Sequence, residues 1–165
     1  MNGSETREPG ATGRWRRASE LPPEVFDALR KANRAINPIA VVATVDPDGT
    51  PRTAPFGSLR AITPGLLRLC CAHRHDTYAN LCRDGRAMVA LLAPPDIAVG
   101  IRGRARLVRE QMNLDEHMAV LEIDVEEVKN DTVRGGAISS AAELFVIGSY
   151  GEYYVAACAE VEDMA

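Results

Sequence analysis

Residues 39–65 read IAVVATVDPDGTPRTAPFGSLRAITPG, and this stretch decides the fold. Its first run, Ile39–Val45, is rich in β-branched residues, which suit a pleated, half-buried surface. The run stops at Asp46-Pro47-Asp48-Gly49. Pro47 presets φ there and Gly49 tolerates a positive φ, so the chain can reverse direction. PRTAPFGSLRAI (51–62) follows as a second strand, closed by Thr63-Pro64-Gly65. Further on, LLRLCCA (66–72) reads as a third strand, HRHDTYANLCRDGR (73–86) has helical spacing, and AMVALLA (87–93) is an apolar run that reads as another buried strand.

Beyond Pro94-Pro95, the segment IAVGIRGRARLV (97–108) alternates. Val99, Ile101, Gly103, Ala105 and Leu107 share one face, and Arg102, Arg104 and Arg106 the other. Gly103 inside a strand marks a bend or a close backbone approach. After a turn or short helix around Gln111–Glu116, residues 117–131 alternate again. There Val120, Glu122, Asp124 and Glu126 oppose Leu121, Ile123, Val125 and Glu127. Six strands with short connections and few helices predict a mainly β fold, a small closed or split antiparallel barrel.

Upstream, Pro22-Pro23 start a helix in which Val25, Phe26, Leu29, Ala32 and Ile36 form one apolar stripe, and Asn37-Pro38 end it. Residues 1–20 read as a mobile tail and 21–165 as a single domain. Trp15, the only tryptophan, is placed to cap a hydrophobic patch or a subunit boundary. After Asp131, TVRGGAISS is a loop by its glycines. Residues 139–164 read as a helix capped by Ser139 or Ser140 and broken near Gly148 and Gly151, with Tyr150, Tyr153 and Tyr154 spaced to line a dimer surface.

Composition narrows the function classes. The 165 residues are 46% hydrophobic and 25% charged, so global disorder is not expected. No apolar run approaches the ~18 residues of a membrane span, and MNGSETREPG has no apolar core of the kind a signal peptide needs. A cytoplasmic protein is the expectation. Cys70, Cys71, Cys82 and Cys158 form no Cys-x-x-Cys pair, so reduced, mostly buried thiols are expected and no metal site. Net charge is −4, unevenly spread: residues 50–109 hold ten arginines against Asp76, Asp84 and Asp96. Arginine's planar fork suits phosphate oxygens, so the basic block is compatible with an anionic ligand as well as with solvated strand faces.

The most polar part of the centre is His73-Arg74-His75-Asp76-Thr77-Tyr78, between a strand and a helix that starts near Asp76 or Thr77. Amides at a helix N-terminus point outward unpaired. With the Thr77 hydroxyl and donors from Arg74 and His75 they would make a phosphate site. Plain capping by Asp76 or Thr77 accounts for the same residues. Gly-x-Gly-x-x-Gly, Gly-Lys-Ser/Thr and Gly-x-Ser-x-Gly motifs are absent from the sequence, and His117 is isolated. Only Phe56 and Tyr78 lie among the arginines, too few aromatics for nucleic-acid stacking.

Taken together, ATVDPDGTPRTAPFG, LLRLCCAHRHDTYANLCRDGRAMVALL and GIRGRARLV resemble the flavin-binding split-barrel family related to pyridoxamine 5′-phosphate oxidase, from about Asn37 to Asp131. The resemblance implies a six-stranded antiparallel split β-barrel with Greek-key connections. It also implies a homodimer with flavin mononucleotide (FMN) in grooves between the subunits. Pro55, Phe56, Gly57 and Ser58 are then implied along the isoalloxazine ring. Cys71, Ala72, His75, Asp76 and Thr77 are implied at the phosphate, with charge from Arg60 or Arg74. The implied activity is oxidation or reduction of a small organic molecule with a nicotinamide partner, and no catalytic side chain is required because the flavin carries the electron chemistry. The same barrel suits a deazaflavin- or biliverdin-type ligand, or a non-catalytic module that stores or senses flavin or haem.

Two departures matter. The oxidase proper has a Ser-Arg-Lys-like run where this chain has His75-Asp76-Thr77, so a lysine is lost and an aspartate gained. Its C-terminal Arg-x-His segment has no counterpart in residues 131–165. Pyridoxamine phosphate oxidation itself is therefore not expected.

Overall fold

The computed structural model describes residues 15–31 and 34–164. Eight strands and three helices follow one another as β1 (Arg17–Ala18), α1 (Pro23–Arg30), β2 (Ala40–Val45), β3 (Pro51–Phe56), β4 (Arg60–Thr63), β5 (Leu66–Ala72), α2 (Asp76–Asp84), β6 (Arg86–Ala93), β7 (Ile97–Arg109), β8 (Met118–Asn130) and α3 (Tyr150–Asp163). All pairings are antiparallel, in the order β3-β2-β6-β7-β8-β5-β4, with β1 added on β8. The end strands β3 and β4 are consecutive in the chain and separated only by residues 57–59, so the sheet curls until its edges meet at that corner. This is the mainly β split barrel expected from the sequence.

The strand count rises from six to eight for two reasons. The run 51–62 breaks into β3 and β4 at the corner, and Arg17–Ala18 pair with Lys129 and Val128. The tail expected through residue 20 is corrected over this part: Trp15 packs against the barrel core and its Nε1 donates to Glu24 Oε1 at 3.0 Å. Residues 1–14 lie outside the described residues.

Alternation builds the core. Val42, Leu67, Leu69, Val89, Leu91, Ile101, Leu121 and Ile123 point inward and are buried. Gly103 lies where β7 shifts register against β8; a Cβ there would come within 2.5 Å of Asp124 O, so the close approach expected at this glycine is real.

The first helix is shorter than expected, ending at Arg30 and not at Ile36. Lys31 turns to φ 51° and sends its ammonium inward, where Nζ donates to the carbonyls of Ile36 (2.9 Å) and Gly57 (3.2 Å). Ala32 lies outside the described residues.

The last helix also differs. Residues 139–149 are irregular, and α3 begins only at Tyr150, with Gly151 in its first turn. It packs on β4 and β5. Cys70 and Val120, on the outer face of the barrel, form a second small core there with Met112, Ala157 and Val161. Val120 and Glu122, on the face of β8 opposite Leu121 and Ile123, are therefore buried as well.

Ion pairs fix α3 in place. Arg60 Nε donates to Glu162 Oε1 (2.7 Å), Arg109 Nη1 to Glu160 Oε1 (2.9 Å), and Arg68 Nη1 to the carbonyls of Val161 (2.9 Å) and Met164 (3.2 Å). A guanidinium at a helix C-terminus satisfies carbonyls that have no partner within the helix. Arg68 is itself neutralised by Glu122 Oε1 at 2.7 Å.

Candidate functional site

The corner between β3 and β4 is built from PFGS, and each residue has a local reason. Phe56 turns inward as the last residue of β3. At Gly57 a Cβ would sit 2.3 Å from Ile36 Cγ2, so no larger residue passes without displacing that side chain. Ser58 Oγ donates to Cys70 O (3.1 Å) and accepts from Cys70 N (3.3 Å), which ties the corner to β5.

Facing this corner is a cavity of about 440 Å³. Pro55, Phe56, Gly57 and Ser58 form one wall, Cys71, Ala72 and His75 a second, and Tyr153, Tyr154 and Ala157 of α3 a third. Its volume is in the range of small-molecule sites. No lysine, arginine, aspartate or glutamate lines it. The Phe56 and His75 rings meet edge-on, with centroids 5.7 Å apart. Tyr153 donates from its hydroxyl to Asp115 Oδ2 at 2.9 Å, and that burial and carboxylate raise its pKa. Burial pushes the Cys71 thiol up to about 12, so it is inert as a nucleophile.

Seven of the eleven residues proposed from the sequence therefore meet in one cavity, although they come from two separate segments. The other four do not line it. Arg60 is fully buried and consumed: besides Glu162 it donates to the carbonyls of Ala35, Gly57 and Leu59. It is a structural clamp under α3 and not a phosphate ligand. Asp76 turns towards Arg52, 3.4 Å away.

Thr77 and Arg74 stand at the N-terminus of α2. The cap is His75, not Asp76 or Thr77: its Nδ1 accepts from Thr77 N at 3.2 Å. That leaves Thr77 Oγ1 buried without a hydrogen-bond partner, a state that carries the desolvation cost of an unmade bond. Arg74 is exposed and has no ion-pair partner among the described residues. Sequence reasoning missed Tyr153, Tyr154 and Met118 as cavity walls. The tyrosine spacing was the available signal, but nothing in it says that α3 folds back over β5.

A sequence profile of the pyridoxamine 5′-phosphate oxidase family matches residues 26–132, about two thirds of the chain. The chain belongs to that family. No curated protein sequence matches it. Among solved structures, a candidate pyridoxamine 5′-phosphate oxidase from Lactobacillus delbrueckii is similar, with a TM-score of 0.56 and 21% identity over 69% of this chain and 98% of that one. HupZ from Group A Streptococcus superposes with a TM-score of 0.54 and 21% identity, covering 73% of this chain and 99% of its own. An F420 reductase gives 0.54 and 14%, covering 67% and 100%. At these identities the likeness is one of fold. Among the described residues, no helix is long and apolar enough to cross a membrane.

Proposed function

We propose that this protein is an FMN-binding oxidoreductase that acts as a homodimer on a small organic molecule with a nicotinamide partner. The observation that carries this reading is the cavity at the β3–β4 corner. It gathers Pro55–Ser58 with Cys71, Ala72 and His75, and its lining is free of charge. Such a lining suits a neutral planar ring system, held by the edge of Phe56 and the wall of Tyr153 and Tyr154. Family membership and the fold shared with an F420 reductase support the same class of ligand.

The phosphate would lie at the start of α2. Arg74 has no competing partner there among the described residues, and the unpartnered Thr77 hydroxyl lies in the first turn of α2. A bound flavin supplies the electron chemistry. The chain's own residues bind and orient the ring, and α3 keeps water from one side of the cavity. No acid or base is assigned: Cys71 is held protonated, and Tyr153 is committed to Asp115.

Titration of the purified protein with FMN, followed by flavin fluorescence and by the 300–600 nm spectrum, tests the reading. The double variant Arg74→Ala, Thr77→Ala should weaken FMN at least tenfold, since a charge-assisted contact contributes about 1.5–3 kcal/mol. Unchanged affinity would overturn the phosphate placement. Preference for a deazaflavin over FMN would keep the ring site and replace the cofactor. Bound FMN that no nicotinamide donor reduces would make the protein a binding module and not an enzyme.

A further inference from the structure

β6 carries the most informative mismatch between sequence and exposure. An antiparallel strand with one wet face alternates apolar and polar residues, whereas one covered on both faces is apolar throughout. AMVALLA is apolar throughout. Ala87, Val89, Leu91 and Ala93 fill the barrel, yet Met88, Ala90 and Leu92 face outward and are exposed, Leu92 by 57%. With Ala98 of β7 and Val133 and Ile138 of the loop after β8, they line a mostly apolar groove of about 600 Å³, edged by Glu127, Lys129 and Asp131. In the protomer the face that the sequence treats as interior is uncovered.

The same chain carries an apolar projection without a socket. The segment 139–149 is anchored where Ile39 N donates to Ala142 O (3.0 Å) and where Asn37 and Leu144 exchange two hydrogen bonds. Beyond that anchor Phe145 is 80% exposed, Ile147 85% and Tyr150 66%. This projection adjoins the cofactor cavity, since Leu144 and Tyr154 border both.

We infer that the 145–150 projection of each protomer inserts into the β6 groove of a second copy, so that two reciprocal contacts make the dimer and bring the partner to the mouth of the cofactor cavity. The inference rests on the homodimer proposed above and identifies its interface; the projection lies outside the family-matched residues 26–132. A two-fold axis makes each protomer give one projection and receive one, which closes the assembly. The area is of the right order. Each exposed aromatic buries about 150–250 Å². Phe145 and Tyr150, with Ile147 and the groove side chains, therefore approach the ~800 Å² per partner of a stable interface.

Sedimentation and native mass spectrometry of the full chain test this, with and without FMN. The wild type should run at twice its 17.8 kDa. Ile147→Asp and Leu92→Lys, both at exposed positions that do not line the cofactor cavity, should each raise the dissociation constant at least 100-fold while leaving the circular dichroism spectrum unchanged. Mixing the two variants should restore a heterodimer, because one contact is then native and the other pairs Asp with Lys. A monomeric wild type, variants that stay dimeric, or a mixture that stays monomeric would each overturn the inference. A wild type that is monomeric yet binds FMN would overturn the interface and leave the flavin reading standing. A wild type that is dimeric, is broken by the variants and binds no FMN even as the dimer would do the reverse.

Discussion

On the outer face of β5 and β8, Cys70 and Val120 point into α3; on the outer face of β6, Met88, Ala90 and Leu92 point into solvent. Both faces are apolar strips on the outside of one barrel. The first is covered by the chain itself, and its cover is secured by charge: Arg60, Arg68 and Arg109 reach Glu162, the last carbonyls of α3, and Glu160. The second has a groove and no such arginines, because the guanidinium-bearing positions of β7 begin only at Arg102. The difference teaches that apolar patterning marks which surfaces are to be buried, whereas the placement of charge determines what covers them.

The largest effect should come from charging the covered face. Val120 is fully buried beneath α3, and Val120→Asp places a carboxylate in the small core with Cys70, Met112, Ala157 and Val161. A buried charge without a partner costs several kcal/mol. The variant should lose at least about 4 kcal/mol in urea unfolding, or fail to fold. A loss under 1 kcal/mol would mean that α3 is not docked on this face.

The covered side also holds a titrating group. Burial brings the Lys31 ammonium from its ordinary 10.5 down to about 7, helped by the neighbouring Arg60 and opposed by Cys158. Between those two values the unfolded chain binds a proton that the folded chain does not, so stability rises with pH across this window. Its upper limit is about 1.4 kcal/mol per pH unit. Chemical denaturation between pH 7 and 8.5 should show a gain of about 1–2 kcal/mol, and Lys31→Met should flatten it. A wild-type slope that Lys31→Met leaves unchanged would show that Lys31 stays charged in the folded state.

Much of this was legible beforehand, for physical reasons. The strands are readable because inward residues repeat with period two, but the β3–β4 corner is not: Gly57 lies inside what reads as one strand, 51–62, and the break there depends on how the sheet closes. The resemblance to the family, not a local pattern, puts Pro55–Ser58 with Cys71, Ala72 and His75, and the fold brings these seven residues to one cavity. Arg60 was misread because its position on β4 was visible, but not its partner: Glu162 is 102 residues away, on a helix whose docking has no local signal. The end of α1 was missed for a similar reason. Lys31 is a good helix former, and nothing local announces that its backbone turns to φ 51° while its ammonium reaches the carbonyls of Ile36 and Gly57. Long-range charge pairing leaves no period in a sequence, and it is what holds α3 over the cavity.

The smallest expected effect on the protomer makes the sharpest comparison. Leu92→Asp is the same kind of change as Val120→Asp, an outward strand residue made acidic. Leu92 already meets water, however, so the new carboxylate loses no hydration in the isolated protomer. Its stability, measured at concentrations where the chain is monomeric, should stay within about 0.5 kcal/mol of wild type. The same substitution should break the dimer, because in the assembly the carboxylate would lose its water against Phe145 and Ile147 of the other copy. If Leu92→Asp instead destabilised the monomer as much as Val120→Asp, both faces would be intramolecular cores. The apolar reading of AMVALLA would then be satisfied within one chain. A stable monomeric variant would instead divide the two faces by what covers them, one by a helix of the same chain and the other by a second copy.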